Sequence, residues 1–559
     1  MNLLNLHRSL RHTSAQLIAK IALLSVLLSA CGGDQTTVTS NAVRPTATEA
    51  SRILSQATFG ANVNEISRLT SIGTAAWFND QFSQPQTLHF VYMNAAQRNL
   101  PAGSRLSEAE FFESFWQQAV NGKDQLRQRV TFALSQIFVV SFQNTVLADN
   151  PRGVANYYDM LGAYAFGNFR DLLQAVTLHP MMGNYLNALH NQKSMDARVP
   201  DENYAREVMQ LFTIGLNELE HDGSNATDIA GRLKPTYTID DIKGLAKVFT
   251  GWSWAGPDRS QSRFFGGNPD PNRDWLPMQN YPDYHETLDK SFLGTTIPAN
   301  TPADESLKIA LDRLFYHPNV GPFIGKQLIQ RLVTSNPSPA YVSHVADAFD
   351  NNGQGVRGDM KAVLKAVLLD DEALSPQSGT GAGKLREPVV RLANWMRAFH
   401  VTSSSGRFLL GNLDDPLNGL AQSPMRSPTV FNFFRPDYVP PNSNIAAAAN
   451  LVSPEMQITE ETSVVGYLNF MRSAISAGTG TGRDIKADYT AELALASAPD
   501  LLLDRVNLLL MQNQMSAGLR TQILTAVSAV PDTSANSRLN RVYLAIFLTM
   551  ASPEYLVQK

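Results

Sequence analysis

The side chains that could move protons or hold a cation converge on one stretch, Pro200 to Trp252, and on the histidine that follows it. Glu207, Asp241 and His285 are the candidate catalytic residues. Two carboxylates can divide acid and base roles, and with an imidazole they make a donor set for a divalent metal of the hard or borderline kind. Carboxylate pairs also suit glycoside cleavage, at separations of about 5–5.5 Å or 6.5–9.5 Å. Glu202, Asn203, Arg206, Trp252 and Lys290 are the candidate binding residues around them. Plain structural roles compete with each of these. Glu202 and Arg206, four apart, read as a surface ion pair worth about 0.3–0.5 kcal/mol. Asp241 stands three positions after Thr238, as in a capping box, which accounts for one of the two acids Asp240 and Asp241 without chemistry. Glu207 borders an apolar stripe, where partial burial would raise its pKa.

Two helices must position these groups. Tyr204, Val208, Leu211, Phe212 and Gly215 recur at helical spacing and predict a helix over Glu202–Gly215. Asp201 and Glu202 fall in its first turn, where the helix dipole favours acids. Ile242, Leu245, Val248 and Phe249 predict a second helix over Asp240–Gly251, stopped by Gly251. The expected site is a polar cleft between the two. Residues 254–284 follow, dense in Gly, Pro, Asp and Asn yet carrying Phe264, Phe265, Trp275, Tyr281 and Tyr284. Such a loop either walls the site, as a lid or sugar-stacking surface, or packs as an ordered insertion.

Helical patterns dominate the remainder, including Ala50–Leu54, Val63–Leu69, Phe111–Val120, Leu126–Val140 and Phe169–Leu178. The predicted fold is mainly α: a large multi-helix body with stacked helical hairpins and two long irregular loops. The second loop, Phe408–Pro441, holds an aromatic run flanked by arginines, Arg426 to Tyr438, fit to line a groove or to bury against helices. One phrase recurs around His179-Pro180, His317-Pro318, Asp370 and Ser552-Pro553: an apolar helix, a short break, then an aliphatic or aromatic anchor. The repeated setting of His179 and His317 points to capping or packing rather than ligation. Asp350 to Met360 imitates a calcium loop, but its twelfth position is Lys361, so a polar turn is the better account.

The first thirty residues are an export signal. Arg8, Arg11 and Lys20 precede the apolar run Ile21–Leu28, and Leu28-Ser29-Ala30-Cys31 follows, the pattern of a bacterial lipoprotein signal with Cys31 as the lipidation site. The expected organisation is signal 1–30, flexible tether 31–45, main helical domain 46–475 and C-terminal helices 491–559 closing the same body. Gly32 after the cysteine leans to the outer membrane, so the membrane, reached through an N-terminal lipid, is the first expected partner. Cys31 is the only cysteine, which excludes an internal disulfide and thiol catalysis. Without Arg8, Arg11 and Lys20, the 46 basic residues become 43 against 50 acidic, a net charge of −7, which argues against nucleic acid. No His-Glu-x-x-His, phosphate-cradling glycine loop, haem motif or Gly-x-Ser-x-Gly occurs; Gly251-Trp252-Ser253-Trp254-Ala255 comes nearest the last. No nucleotide cofactor is expected.

Asp201-Glu202-Asn203-Tyr204-Ala205-Arg206-Glu207, Leu211-Phe212-Thr213-Ile214-Gly215, Phe249-Thr250-Gly251-Trp252, His285, Lys290 with Phe292-Leu293-Gly294, and Pro428 to Pro436 together form a specific combination. It resembles the bacterial exported family catalogued as domain of unknown function number 1800, over about Ala50 to the C-terminus. Members often carry Leu-His-Thr where this chain has Leu211-Phe212-Thr213. The resemblance implies export and a site region but no reaction. It also implies a possible partner, since members are often encoded beside a second exported family, number 1501, that resembles sulfatases and phosphatases. Two readings follow: a lipid-anchored envelope protein binding a partner or polymer, or a metal- or carboxylate-dependent hydrolase.

Overall fold

The turns between helices show how this sequence stops and restarts its chain. At each break in the recurring phrase, a side chain caps the turn that follows. In the computed structural model, which describes residues 44–444 and 450–559, His179 Nδ1 accepts the Met181 amide at 3.2 Å and His317 Nδ1 the Asn319 amide at 3.2 Å. Asp370 Oδ1 accepts from Glu372 N at 2.9 Å, and Ser552 Oγ from Tyr555 N at 3.2 Å. Each satisfies an N–H that has no partner within the new helix. Cys31, the signal and all but the end of the tether lie outside the described residues.

The architecture is mainly α. The helices that matter below are α1 (Ala47–Ala57), α2 (Gln125–Ser135), α3 (Phe169–Leu178), α4 (Asn203–Gln210), α5 (Ile239–Val248), α6 (Val320–Leu332), α7 (Pro388–Ala398), α8 (Pro499–Met511) and α9 (Ala535–Ala551). One apolar core runs from Ala50 in α1 to Tyr555 after α9. The C-terminal helices close on the first: Ser51 Oγ donates to the Leu508 carbonyl at 2.7 Å. Strands are short antiparallel pairs. Trp252–Ser253 (β1) pairs Gln279–Asn280 (β2), Lys290–Phe292 (β3) pairs Thr295–Ile297 (β4), and Lys384–Leu385 (β5) pairs Val557–Gln558 (β6). Among the described residues no helix is long and apolar enough to cross a membrane.

Three expected helix ends move, each for a visible reason. The helix over Leu126–Val140 stops at Ser135. The Gln136 carbonyl accepts from Arg331 Nη2 (3.0 Å) and the Phe138 carbonyl from Tyr157 Oη (2.8 Å), so these acceptors serve tertiary contacts instead of a ladder. The helix over Glu202–Gly215 is α4, Asn203–Gln210. Asp201 and Glu202 precede it, and Asp201 Oδ1 accepts the Asn203 amide at 2.8 Å. At its far end Gly215 has φ +72°, and a Cβ there would lie 2.8 Å from the Phe323 ring. The second helix ends at Val248, three residues before Gly251.

The 254–284 segment is an ordered insertion. β1 and β2 close its base, Phe264 stacks on Tyr284 with ring centroids 3.8 Å apart, and Tyr281 Oη donates to the Trp254 carbonyl at 2.6 Å. Phe264 and Tyr281 are fully buried and hold the insertion together, while Phe265 stands 49% exposed at its surface. Residues 408–441 contain no helix or strand.

Candidate functional site

The structure separates the predicted residues. Glu202 and Arg206 make the surface pair, Nη2 to Oε2 3.4 Å, with Asn203 half-buried beside them at the start of α4. Tyr204 packs edge-on against Phe249 at 4.8 Å, so apolar contact fills the junction of α4 and α5 where a hollow was expected. Asp241 is a capping residue. Its Oδ2 accepts from the Thr238 amide and hydroxyl, both at 2.7 Å, and its Oδ1 from Leu293 N at 2.6 Å. Burial pushes this carboxyl up, but those donors outweigh it and hold its pKa below the usual range. Glu207 is 6% exposed, its Oε2 has no partner, and burial raises its pKa against the opposing charge of Arg206. Trp252 is buried, with its indole N–H unpartnered.

His285 and Lys290 do come together, with a partner that is neither of the predicted acids. His285 Nδ1 donates to the Thr250 carbonyl at 2.9 Å, and its Nε2 lies 3.4 Å from Ser306 Oγ. Glu286 accepts the amides of Ser194, Thr287 and Leu288 at 2.9–3.1 Å. Lys290 is fully buried and its ammonium lacks a hydrogen bond; burial lowers its pKa, and Glu286 partly restores it. Gly251 permits this packing. Its φ is +77°, and a Cβ would lie 2.8 Å from His285 N. These groups tie the 190–201, 249–252 and 284–290 segments to one another. Among the described residues no three His, Cys, Asp or Glu side chains are gathered as metal ligands, so the set Glu207, Asp241 and His285 is not assembled.

A different polar centre lies at the heart of the molecule. Arg129 from α2, Arg331 from α6, Lys384 from β5, Glu387 at the start of α7 and Glu455 from a 3-10 turn (Pro454–Ile458) converge there, none more than 5% exposed. Lys384 Nζ lies 3.1 Å from Glu455 Oε1 and 3.7 Å from Glu387 Oε1. It donates to the Arg331 carbonyl at 2.9 Å, and so does Arg129 Nη2 at 2.6 Å. Glu387 Oε2 accepts from Gln422 Nε2 at 2.7 Å and from Gln136 Nε2. Burial pushes the Glu455 carboxyl up, and burial brings Arg331 down to about 10. Three cations face two carboxylates in the buried interior, where each ion costs several kcal/mol to desolvate.

Beside this centre is a narrow recess with about 10 Å³ of free space, room for about one water-sized group, lined by Gln136, Gln422, Ser423, Ser427, Asn432 and Phe433 among others. Gln136 Oε1, Ser427 Oγ and Asn432 Nδ2 are buried without hydrogen-bond partners. Ala421, Met425 and Asn432 hold left-handed backbone around it, φ +60°, +57° and +65°. For Ala and Met that conformation is strained by about 1–2 kcal/mol. The recess offers one small group both donors and an acceptor, with an excess of positive charge behind them. In the sequence only the aromatic run from Arg426 to Tyr438 signalled this place. The five ionisable residues are scattered from 129 to 455, and each alone reads as an ordinary helix or turn charge.

Comparison with known proteins adds membership but no activity. No curated protein and no solved structure matches this chain. The family model described as protein of unknown function (DUF1800) matches residues 52–557, nearly the whole chain, and the chain belongs to that family.

Proposed function

We propose that this protein is a lipid-anchored component of the bacterial envelope, held by Cys31 on the outer membrane, that binds a partner protein or an envelope polymer and reads one of its small polar groups in the recess between Gln136 and Asn432. The observation that carries this reading is the set of unpartnered polar atoms lining a recess backed by five buried ionisable groups. Apolar residues would hold these five elements together at no greater cost, because replacing buried ion pairs with well-packed apolar side chains is often neutral or stabilising by about 1–4 kcal/mol. Charges kept in such a place fit a ligand better than a scaffold. A neighbouring exported protein of the 1501 family is one partner that this reading accommodates. The test is capture from native envelope by the full chain in detergent, read by mass spectrometry and sugar analysis. A specific protein or polymer retained in stoichiometric amount supports the proposal; capture of nothing above an unrelated lipoprotein ends it.

Hydrolysis is the second reading, and its carboxylates move to Glu387 and Glu455. Both lie against the Lys384 ammonium, and burial favours the protonated form of Glu455, as a general acid requires. Release of soluble fragments from envelope material, lost in Glu455→Gln, would favour it over simple binding.

A further inference from the structure

The free space beside Glu387 limits what can enter it. About 10 Å³ admits one heavy atom with its hydrogens, so a carboxylate, a phosphate or an amide is too large. The polar atoms of the lining narrow the choice again. Gln136 Nε2 donates to Glu387 Oε2, which fixes the amide with Oε1 as its free end, an atom that only accepts. Asn432 Nδ2 only donates, and Ser427 Oγ does either. These three atoms are buried without partners. The other polar groups of the lining are spent. Gln422 donates to Glu387 at 2.7 Å and accepts the Val389 amide at 3.2 Å, Ser135 Oγ donates to the Phe132 carbonyl at 2.8 Å, and Ser423 Oγ accepts the Leu413 amide.

A carbonyl oxygen or a halide ion would satisfy Asn432 and Ser427 but set one acceptor against another at Gln136 Oε1. An ammonium would satisfy Gln136 but meet the Asn432 N–H groups and the excess positive charge of Arg129, Arg331 and Lys384 over Glu387 and Glu455. A hydroxyl satisfies all three atoms, because its single oxygen both donates and accepts. Water does the same, and water is what an entering hydroxyl would displace. The body that carries the hydroxyl must lie against the rest of the lining, which is apolar: Phe132, Val140, Met425 and Phe433. Phe433 is half-buried, and Phe431, two residues before it, is 39% exposed. A serine or threonine would bring its own backbone N–H and C=O against these groups and leave them unpaired. A sugar brings C–H faces that suit aromatic and methyl surfaces, with its other hydroxyls left in water.

We infer that the ligand is an envelope polysaccharide, one of whose hydroxyls enters the recess between Gln136 and Asn432 while its sugar ring packs against Phe433. This rests on the proposed function and narrows it to one of its two ligand classes. The experiment is capture by the full chain in detergent from four portions of native envelope: untreated, digested with a broad-specificity protease, digested and then N-acetylated in water, and digested and then partly O-acetylated. The expected result is equal retention from the first three, with sugars in the retained fraction, and at least tenfold less after O-acetylation. Ser427→Ala, which loses only an unpartnered hydroxyl, should retain several-fold less from digested envelope with an unfolding midpoint equal to that of the wild type. Retention lost to protease overturns the inference and leaves a protein as the partner. Retention indifferent to O-acetylation, lost on N-acetylation, or equal in Ser427→Ala overturns it too. Capture of nothing from untreated envelope is the distinct result that ends the proposed function itself.

Discussion

Asp241 and Glu207, paired in the sequence as candidate acid and base, turn out to be carboxylates of opposite character. Asp241 accepts three hydrogen bonds and anchors Thr238 and Leu293. Asp241→Ala should therefore cost about 0.5–2 kcal/mol in urea denaturation, as the loss of a helix cap does, while capture of envelope material is unchanged. Glu207 is buried with an unpartnered oxygen, and its pKa in the folded chain is raised. Between the unfolded and folded pKa values the native state then binds more protons than the unfolded state, so its contribution to stability falls as pH rises through that window. Glu207→Gln should stabilise the protein near neutral pH, and the gain should vanish toward pH 4, as paired denaturation curves would show. The capping role of Asp241 was legible from Thr238 three residues earlier. The burial of Glu207 was legible only as an edge position on a stripe, because what covers an edge is decided by distant chain, here including Tyr185 and Tyr237.

At the scale of elements, the sequence announces helices through periodicity and misplaces their ends wherever a tertiary acceptor competes. Phe169–Leu178 matches its predicted limits, with Asn168 capping its start and His179 ending it. The helix His89–Asn99 was not foreseen; His89 is buried and bonded to Ser114 and Gln128, so a polar residue occupies a core position there. The close approach of α5 to β3 was equally hidden. At Gly244 a Cβ would sit 1.6 Å from the Ser291 carbonyl oxygen, a contact with backbone that no rotamer relieves. Gly244→Ala should cost about 1–3 kcal/mol or more through forced separation of α5 from the hairpin that carries Lys290, measured by thermal unfolding. His179 offers a second element-level check. Burial lowers its pKa to about 3, below the ordinary value of 6.5, so its contribution is present above pH 6.5 and is lost as pH falls toward 3. His179→Asn, which keeps a capping oxygen, should narrow its stability deficit relative to wild type as the medium is acidified over that range.

For the whole molecule, family membership and a mainly α build were readable from motifs and spacing, because both rest on local pattern. The polar centre was not. Arg129, Arg331, Lys384, Glu387 and Glu455 meet only after five elements pack, and charge at each position is unremarkable until its neighbours are known. The proposed export address rests on residues outside the described part of the chain, and it has its own test: Cys31→Ser should abolish incorporation of labelled palmitate and release the protein from the membrane fraction. The claim on which the account rests is that the recess beside Glu387 holds the ligand. Ser427→Ala with Asn432→Gly removes two unpartnered polar atoms, and glycine keeps the left-handed backbone at position 432. The decisive measurement is the affinity of this double variant, as full chain, for the envelope component captured by the wild type. The account predicts binding at least tenfold weaker, about 1.4 kcal/mol, with an unfolding midpoint equal to that of the wild type; an unchanged affinity would contradict it.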